Sequence, residues 1–394
     1  MLFQILDDKK YCVGIYCNDE IIYDNLPDTL AKTWSYAGFL ENRNIEYANL
    51  YVGGKQLEDL YPPELEEDWQ RISHQMKAFL KAFRTARINL KNVCLYDMIP
   101  EPFLLEWCDL KSKICTYAFE NYEKPTNYDF LLDLTKLVEE IKYQKLNIHP
   151  QALREDLGAY RSRAFLKKLN KIEPYITYNI FGTKTGRLTT KSDSFPILTL
   201  DKKHRKVLKP NNDWFVELDF NAAELRTFLA LSGQEQVQED LHIWNINNVF
   251  RGLGTRQEAK IRFFAWLYNL DSKDYLLNRT YDREKLIEQY LVDGKIATKF
   301  GRIIESDTHH ALSYLIQSTT SDLFLRQMIK VADILKDTKS FIAFSLHDSV
   351  TIDITNEDKH LLPQIIEIFG DTDLGRYMVN VSAGADYGNM QKIK

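Results

Sequence analysis

The chain has 394 residues, 44% hydrophobic and 27% charged, with a formal net charge of −5. That profile excludes a disordered or low-complexity chain and leaves room for two or three compact units. No apolar run approaches the roughly 18–20 residues of a membrane span, and the start MLFQILDDKK lacks a secretory pattern, so no membrane partner and a cytoplasmic location are expected.

The five cysteines (Cys12, Cys17, Cys94, Cys108, Cys115) are irregularly spaced and contain no C-x-x-C pair. This argues against a zinc site or a disulfide framework and for core thiols in a reducing compartment. Charge is uneven. Residues 1–150 carry 17 Lys/Arg against 24 Asp/Glu, residues 151–394 carry 34 against 32, and residues 181–210 hold eight cations against two acids. Such a patch can hold phosphates on an acidic protein, because screening over roughly 8–10 Å lets near charges outweigh the total. A solvated loop is the competing explanation.

In chain order, LFQIL, YCVGIY and EIIYD, separated by DDKK and CNDE, predict three short strands in an antiparallel meander. YANLYVGG reads as another strand ending in glycines. Residues 66–90 and 129–172 read as helical, the second stretch with an apolar face of Leu131, Leu134, Leu137 and Ile141, extended by Val138 and Leu146. Pro, Asn and charge cluster in ENYEKPTNY (120–128), which predicts a domain boundary. From 174 the chain is rich in β and turn residues. DWFVELDF (213–220) predicts a buried strand, helices and loops alternate to about 336, and SFIAFSLHDSVTIDI (340–354) predicts a hairpin with His347-Asp348-Ser349 at its tip.

Asp219 ends one of these strands and Asp348 sits on the turn of another. An N-cap is the bland reading of an acid where a strand hands over to a helix. If the strands are neighbours, however, the carboxylates face each other, repel, and favour a divalent cation. In TRQEAKIRFFAWLYN (255–269), Arg256, Lys260, Phe264 and Tyr268 recur every four residues. One helical face then carries two cations followed by two aromatics, suited to a triphosphate and a base. An amphipathic helix with an aromatic core stripe explains the same spacing.

The order of these segments resembles family A DNA polymerases, the DNA polymerase I type. LDFNAAELR (218–226), the 256–268 face and LHDS (346–349) resemble polymerase motifs A, B and C. KTGRLTT (184–190), DLH (240–242) and IQSTTSD (316–322) resemble the family's T-G-R-L-S-S, D-x-H and Q-G-T-x-x-D segments. The six span about half the chain.

The resemblance implies an α+β right-hand polymerase. Residues 125–394 would be the polymerase domain: palm about 176–230 and 300–394, fingers about 231–300, shortened thumb about 145–175. A small α/β domain (1–124) resembling a degenerate exonuclease would precede it. The implied activity is template-dependent addition of dNTPs to a primer 3′-hydroxyl, with primer-template DNA as partner. Asp219 and Asp348 would be catalytic and hold two Mg²⁺ ions together with the backbone carbonyl of Phe220. Arg256, Lys260 and His242 would neutralise the triphosphate, and Phe264 and Tyr268 would stack on the incoming nucleotide. Thr185, Arg187, Gln317 and His347 would contact the primer-template, and Glu224, paired with Tyr268, would block a ribose 2′-hydroxyl.

Some positions depart from the family pattern. Ser349 replaces an acid, Asn269 follows Tyr268 in place of Gly, and His309 and Ser313 replace an Arg and an Asn. Lys202 and Lys203 are the candidates for a phosphate-binding cation ahead of motif A. RSRAFLKKLNKIEPY (161–175) reads as the stub of a thumb, implying low processivity or a processivity or replisome protein as partner. Asp7-Asp8-Lys9 stands where a D-x-E metal motif would be, so proofreading is not expected. The compact size suggests a bacteriophage-type enzyme. Two alternatives stay open: a single-subunit RNA polymerase or primase relative, against which Glu224 and Phe264 speak, and an inactive polymerase-derived scaffold, against which the retained acids and cations speak.

Overall fold

The computed structural model describes residues 1–7, 14–88, 90, 93–156 and 158–393. Asp8, Lys9 and Cys12, which entered the expectations above, lie outside them. The chain forms two compact units, Met1–Glu140 and Ile141–Lys394. Their division falls inside the helix Tyr128–Lys142, and the Pro- and Asn-bearing segment at 122–127 is the non-helical connection ahead of that helix.

In the first unit the expected meander forms: Gln4–Ile5, Ile15–Cys17 and Glu20–Ile22 pair antiparallel in sequence order. YANLYVGG is corrected. Only Glu46–Tyr47 is strand, and Ala48–Tyr51 is a helical turn. Its end is closed by Gly53 (φ 61°) and Gly54 (φ 77°), whose amides donate to Leu50 and Asn49 carbonyls, so these glycines terminate a helix rather than a strand. The long helix Glu66–Thr85 matches expectation, with Glu66, Glu67 and Asp68 in its first turn where the dipole favours acids.

A second long helix, Glu101–Asn121, was not read from the sequence. Its buried positions include Leu104, Cys108, Lys111, Cys115 and Ala118, so a lysine and two cysteines interrupt the apolar signal. Lys111 lies over the Trp107 ring at 5.2 Å, which accounts for its tolerance there. Cys17, Cys108 and Cys115 are buried free thiols as expected, whereas Cys94 is disulfide-bonded. Chain spacing carries no signal for sulfurs that the fold brings together.

The reading of 129–172 as one helical stretch is also corrected. Leu131, Leu134, Leu137, Val138 and Ile141 are buried as expected, but the helix ends at Lys142 and Leu146 lies beyond it. Asn147–Ile148 then pairs antiparallel with Leu208–Lys209. His149 precedes Pro150, and a residue before proline is pushed out of the helical region. A helix resumes at Tyr160–Leu169.

The second unit is organised by a five-stranded antiparallel sheet in the order Phe341–Leu346, Ser349–Ile354, Trp214–Phe220, Val379–Gly384, Gln391–Lys392. On the central strand, Val216, Leu218 and Phe220 are buried while Glu217 and Asp219 are half-buried, the alternation of a sheet with one apolar face. Phe220 stacks on Phe369 (4.4 Å between centroids) and meets Phe324 edge-on, so the helices Leu362–Gly370 and Thr308–Leu335 cover that face.

The helices Ala223–Leu231, Leu241–Asn248, Arg256–Tyr268 and Arg283–Tyr290 form a second core around Phe228, Phe263, Trp266 and Tyr281. Between them and the 308–335 helix lies a small antiparallel sheet, Leu291–Val292, Lys295–Ala297 and Ile303–Glu305, where only helices and loops were expected. Its first turn is Asp293-Gly294, both at positive φ, the residue pair that favours a two-residue hairpin.

Leu218 is fully buried at the middle of the central strand. Leu218→Ala is expected to lower unfolding stability by about 2–5 kcal/mol in urea titration; a loss near zero would contradict this packing.

Candidate active site

The sheet register brings the two motif carboxylates together. Asp219 pairs with Ser349, and Asp348 is the next residue, on the turn between Leu346 and Ser349. His347, the other turn residue, is exposed and left-handed (φ 56°), a backbone state that non-glycine residues hold only when the surroundings impose it. Burial pushes the carboxyl of Asp219 up to about 6, reinforced by the charges of Glu217 and Asp348 and opposed by Asn380 and Lys260. Asp348 is raised by burial too, against the pull of Arg187, His347 and Lys260. Among the described residues neither carboxylate makes an ion pair, and Asn380 Nδ2 donates to Asp219 Oδ2 at 3.4 Å. Such a pair of acids concentrates negative charge beside Lys260.

Next to it, Glu224 joins three segments that are distant in sequence. It lies in the first turn of the helix Ala223–Leu231, entered through Ala222 at φ 53°, so strand end and helix start are separated by one sharp step. Its Oε1 accepts from Arg187 Nη2 at 2.6 Å and its Oε2 from the Tyr268 hydroxyl at 2.5 Å. Burial raises the Glu224 carboxyl while Tyr268 and Arg187 pull it back; the Tyr268 hydroxyl is pushed well above its usual range by burial and by Glu224. Gln317 lies near the Tyr268 hydroxyl, moderating its shift, and donates to Ser313 Oγ at 3.1 Å. The Glu224–Tyr268 pair expected from the sequence is therefore present.

On the 256–268 helix, Phe264 and Tyr268 stack (5.9 Å, 13°), and Lys260 Nζ lies 5.9 Å from the Phe264 ring. A capping box of Thr255 and Glu258 opens the helix. Arg256 is not free: its Nε donates to Asp240 Oδ2 at 2.8 Å, which also accepts from Asn221 Nδ2 at 2.7 Å. Burial raises Asp240, but the bonds from Asn221 and Arg256 outweigh it and hold the carboxyl below its usual range. Asp240 also caps the helix carrying His242, whose ring lies 6.1 Å from Phe264. Arg226, fully buried, fixes the approach to Asp240 by donating to the carbonyls of Asn221, Val237 and Glu239.

The 184–190 segment is held from below. Gly186 is left-handed (φ 75°), and a side chain there would strike the Arg302 guanidinium. Arg302 is locked by two bonds to the fully buried Asp322, at 2.9 and 2.6 Å. Thr185 is buried, and Thr183 Oγ1 donates to the Arg187 carbonyl at 3.0 Å, so the turn presents Arg187 to Glu224. Arg302 was missed because 20 residues separate it from its partner. Asp322 and Asp240 lie inside the segments IQSTTSD and DLH, and their positions alone pointed to them.

No protein-family model matches the chain. It is similar to "DNA polymerase I, thermostable" of Thermus filiformis, 22% identical over 265 residues, which is 53% of this chain and 32% of that protein. The chain thus spans about a third of the length of that relative. Its structure superposes on the POL domain of Pol1 from M. smegmatis, solved in complex with DNA primer-template and dNTP, with a TM-score of 0.68 at 13% identity, covering 98% of this chain and 95% of that one. The chain has the fold of that POL domain. Within that polymerase fold, the segments resembling motifs A and C lie on adjacent strands, and the segment resembling motif B is the helix whose end meets Glu224.

His242 is 2% exposed, and its Nδ1 has no partner among the described residues. Burial, with Arg256 adding repulsion, lowers its pKa to about 4. The folded protein therefore binds fewer protons at this site than the unfolded chain, whose histidines titrate near 6.5. Stability is lost as pH falls from about 6.5 to about 4, by roughly 3 kcal/mol at most. Urea titrations at pH 7 and pH 4 should show wild type losing that much more than His242→Gln; equal losses would contradict a buried neutral imidazole.

Proposed function

We propose that the chain is a template-dependent DNA polymerase adding dNTPs to a primer 3′-hydroxyl. The observation that carries this reading is the pairing of Asp219 with Ser349, which sets two half-buried, ion-pair-free carboxylates side by side next to Lys260. Their hard oxygens, with the Phe220 carbonyl, suit Mg²⁺, and two ions would be shared between this pair and substrate phosphates. Among the described residues no three His, Cys, Asp or Glu side chains converge, which fits ions that the substrate helps to hold. The metal, when bound, supplies the charge that stabilises the attacking and leaving oxygens of an in-line displacement.

The chain's own side chains do the positioning. Lys260 faces the carboxylates, Arg256 would exchange Asp240 for triphosphate oxygens, and His242 would assist as a neutral donor. Phe264 and Tyr268 offer a stacking face for the base. Glu224, anchored on both oxygens, would fill the space a ribose 2′-hydroxyl needs. Thr185, Arg187, Gln317 and His347 line the primer side; the Arg187 Nε, buried and without a partner among the described residues, supports a contact with a substrate oxygen.

In this reading the five-stranded sheet is the palm and the 231–300 segment the fingers. The 145–175 segment is a shortened thumb, implying a replisome partner that holds DNA. Synthesis proceeds without proofreading: the Asp7 carboxylate accepts from the Leu95 amide at 3.1 Å, an anchoring role in the first unit. No helix among the described residues is long and apolar enough to cross a membrane.

Primer extension on a labelled primer-template with Mg²⁺ tests the reading. Wild type should extend with dNTPs and Asp219→Ala should lose at least about a thousandfold in rate. Glu224→Ala should keep dNTP extension and lose roughly tenfold or more of the preference for dNTPs over rNTPs. Extension that survives Asp219→Ala would overturn the assignment of the metal site, and no extension by wild type with DNA bound would overturn the activity.

A further inference from the structure

A buried cation holds the end of the 256–268 helix, and the proposed chemistry does not use it. The helix stops at Tyr268 with Asn269 as its cap in an extended conformation (φ −113°, ψ 101°). A left-handed glycine commonly closes such an end and satisfies the last carbonyls, which have no donors within the helix. Here Arg283, the first residue of the helix Arg283–Tyr290, supplies one of them, that of Trp266, and ties it to three carbonyls of the segment that follows. It is 5% exposed, and its guanidinium lies over the Trp266 ring at 5.0 Å. It donates to the carbonyls of Trp266, of Asn269 at 2.9 Å, of Leu270 at 2.7 Å and of Ser272 at 2.8 Å.

A planar fork of five donors spans separated carbonyls in a fixed geometry, whereas the lysine ammonium offers three donors from a single point, and positive charge is favoured at a helix C-terminus. Other polar contacts also fasten the helix to the following segment: Arg262 with Asp274, and the Trp266 indole donating to Asn278 Oδ1 at 2.6 Å. Both act through side chains, and neither touches the carbonyls that Arg283 collects. Tyr268 belongs to this last turn, and its hydroxyl is bonded to Glu224.

We propose that Arg283 is a positioning residue for sugar selection, holding the last turn of this helix so that Tyr268 fixes Glu224 against a ribose 2′-hydroxyl. The proposal rests on the polymerase reading above. Because Arg283 acts through Glu224, its effect must vanish when Glu224 is removed.

The test compares kcat/KM for a dNTP and the matching rNTP in wild type, Arg283→Lys, Glu224→Ala and the double variant, with thermal melts to establish folding. Arg283→Lys should lower the dNTP preference about tenfold, and add less than about twofold in the Glu224→Ala background. Should the lysine variant fail to fold, Arg283→Gln is read in the same way. Unchanged preference, or an equal loss in both backgrounds, overturns the proposal. Hydrogen exchange of the 264–272 amides is followed in parallel and needs no activity. Faster exchange there in the variant, with the rest of the unit unchanged, is expected. If wild type extends no primer, the polymerase reading fails, and unchanged exchange would then overturn the positioning role as well.

Discussion

The functional architecture depends on one constraint, the antiparallel register of Trp214–Phe220 against Ser349–Ile354. Side chains alternate faces along a strand, so a slip of one residue would turn Asp219 into the apolar layer and bring Leu218 or Phe220 out of it. The register is secured on that layer by the fully buried Leu218, Val350 and Ile352, and by Phe220 against Phe369. Apolar packing thereby holds in place two like-charged, desolvated groups that would separate if the chain were free to move. This is local frustration, tolerated because the surrounding sheet over-determines the backbone.

The surrounding polar groups share one design. Three arginines near the site have definite anchors: Arg187 on Glu224, Arg256 on Asp240, Arg302 on Asp322. The first two anchors are partly exposed, and a phosphate or sugar oxygen could replace them at modest cost. The third is bidentate on a fully buried carboxylate, so its loss would leave an uncompensated charge inside the unit. Exchangeable pairs face the proposed substrate, and the permanent pair lies beneath the turn that aims Arg187.

Much of this was legible in the sequence because the signals are local. The central strand shows its alternation, the 341–354 hairpin shows two β runs about a turn, and the motif acids fall at strand ends. The face of Arg256, Lys260, Phe264 and Tyr268 follows from helical spacing alone. What stayed hidden is carried by tertiary context. The helix Glu101–Asn121 buries Lys111 among cysteines and so blurs its own stripe. The turn Ala48–Tyr51 overrides the β preference of its Tyr51 once two glycines can close it. Arg283 reads as an ordinary charged residue at a helix start, since its partners are backbone carbonyls, which leave no mark in sequence. The Asp293-Gly294 hairpin, by contrast, was readable and was passed over.

The proposed activity requires that Asp219 and Asp348 form one divalent-cation site. Mn²⁺ binding followed by electron paramagnetic resonance, with primer-template and dNTP present, measures this for wild type, Asp219→Asn, Asp348→Asn and the double variant. The predicted result is a loss of about tenfold or more in affinity for each single variant and no comparable further loss in the double, as for two ligands of one site. Wild-type Mn²⁺ affinity in either single variant would contradict it.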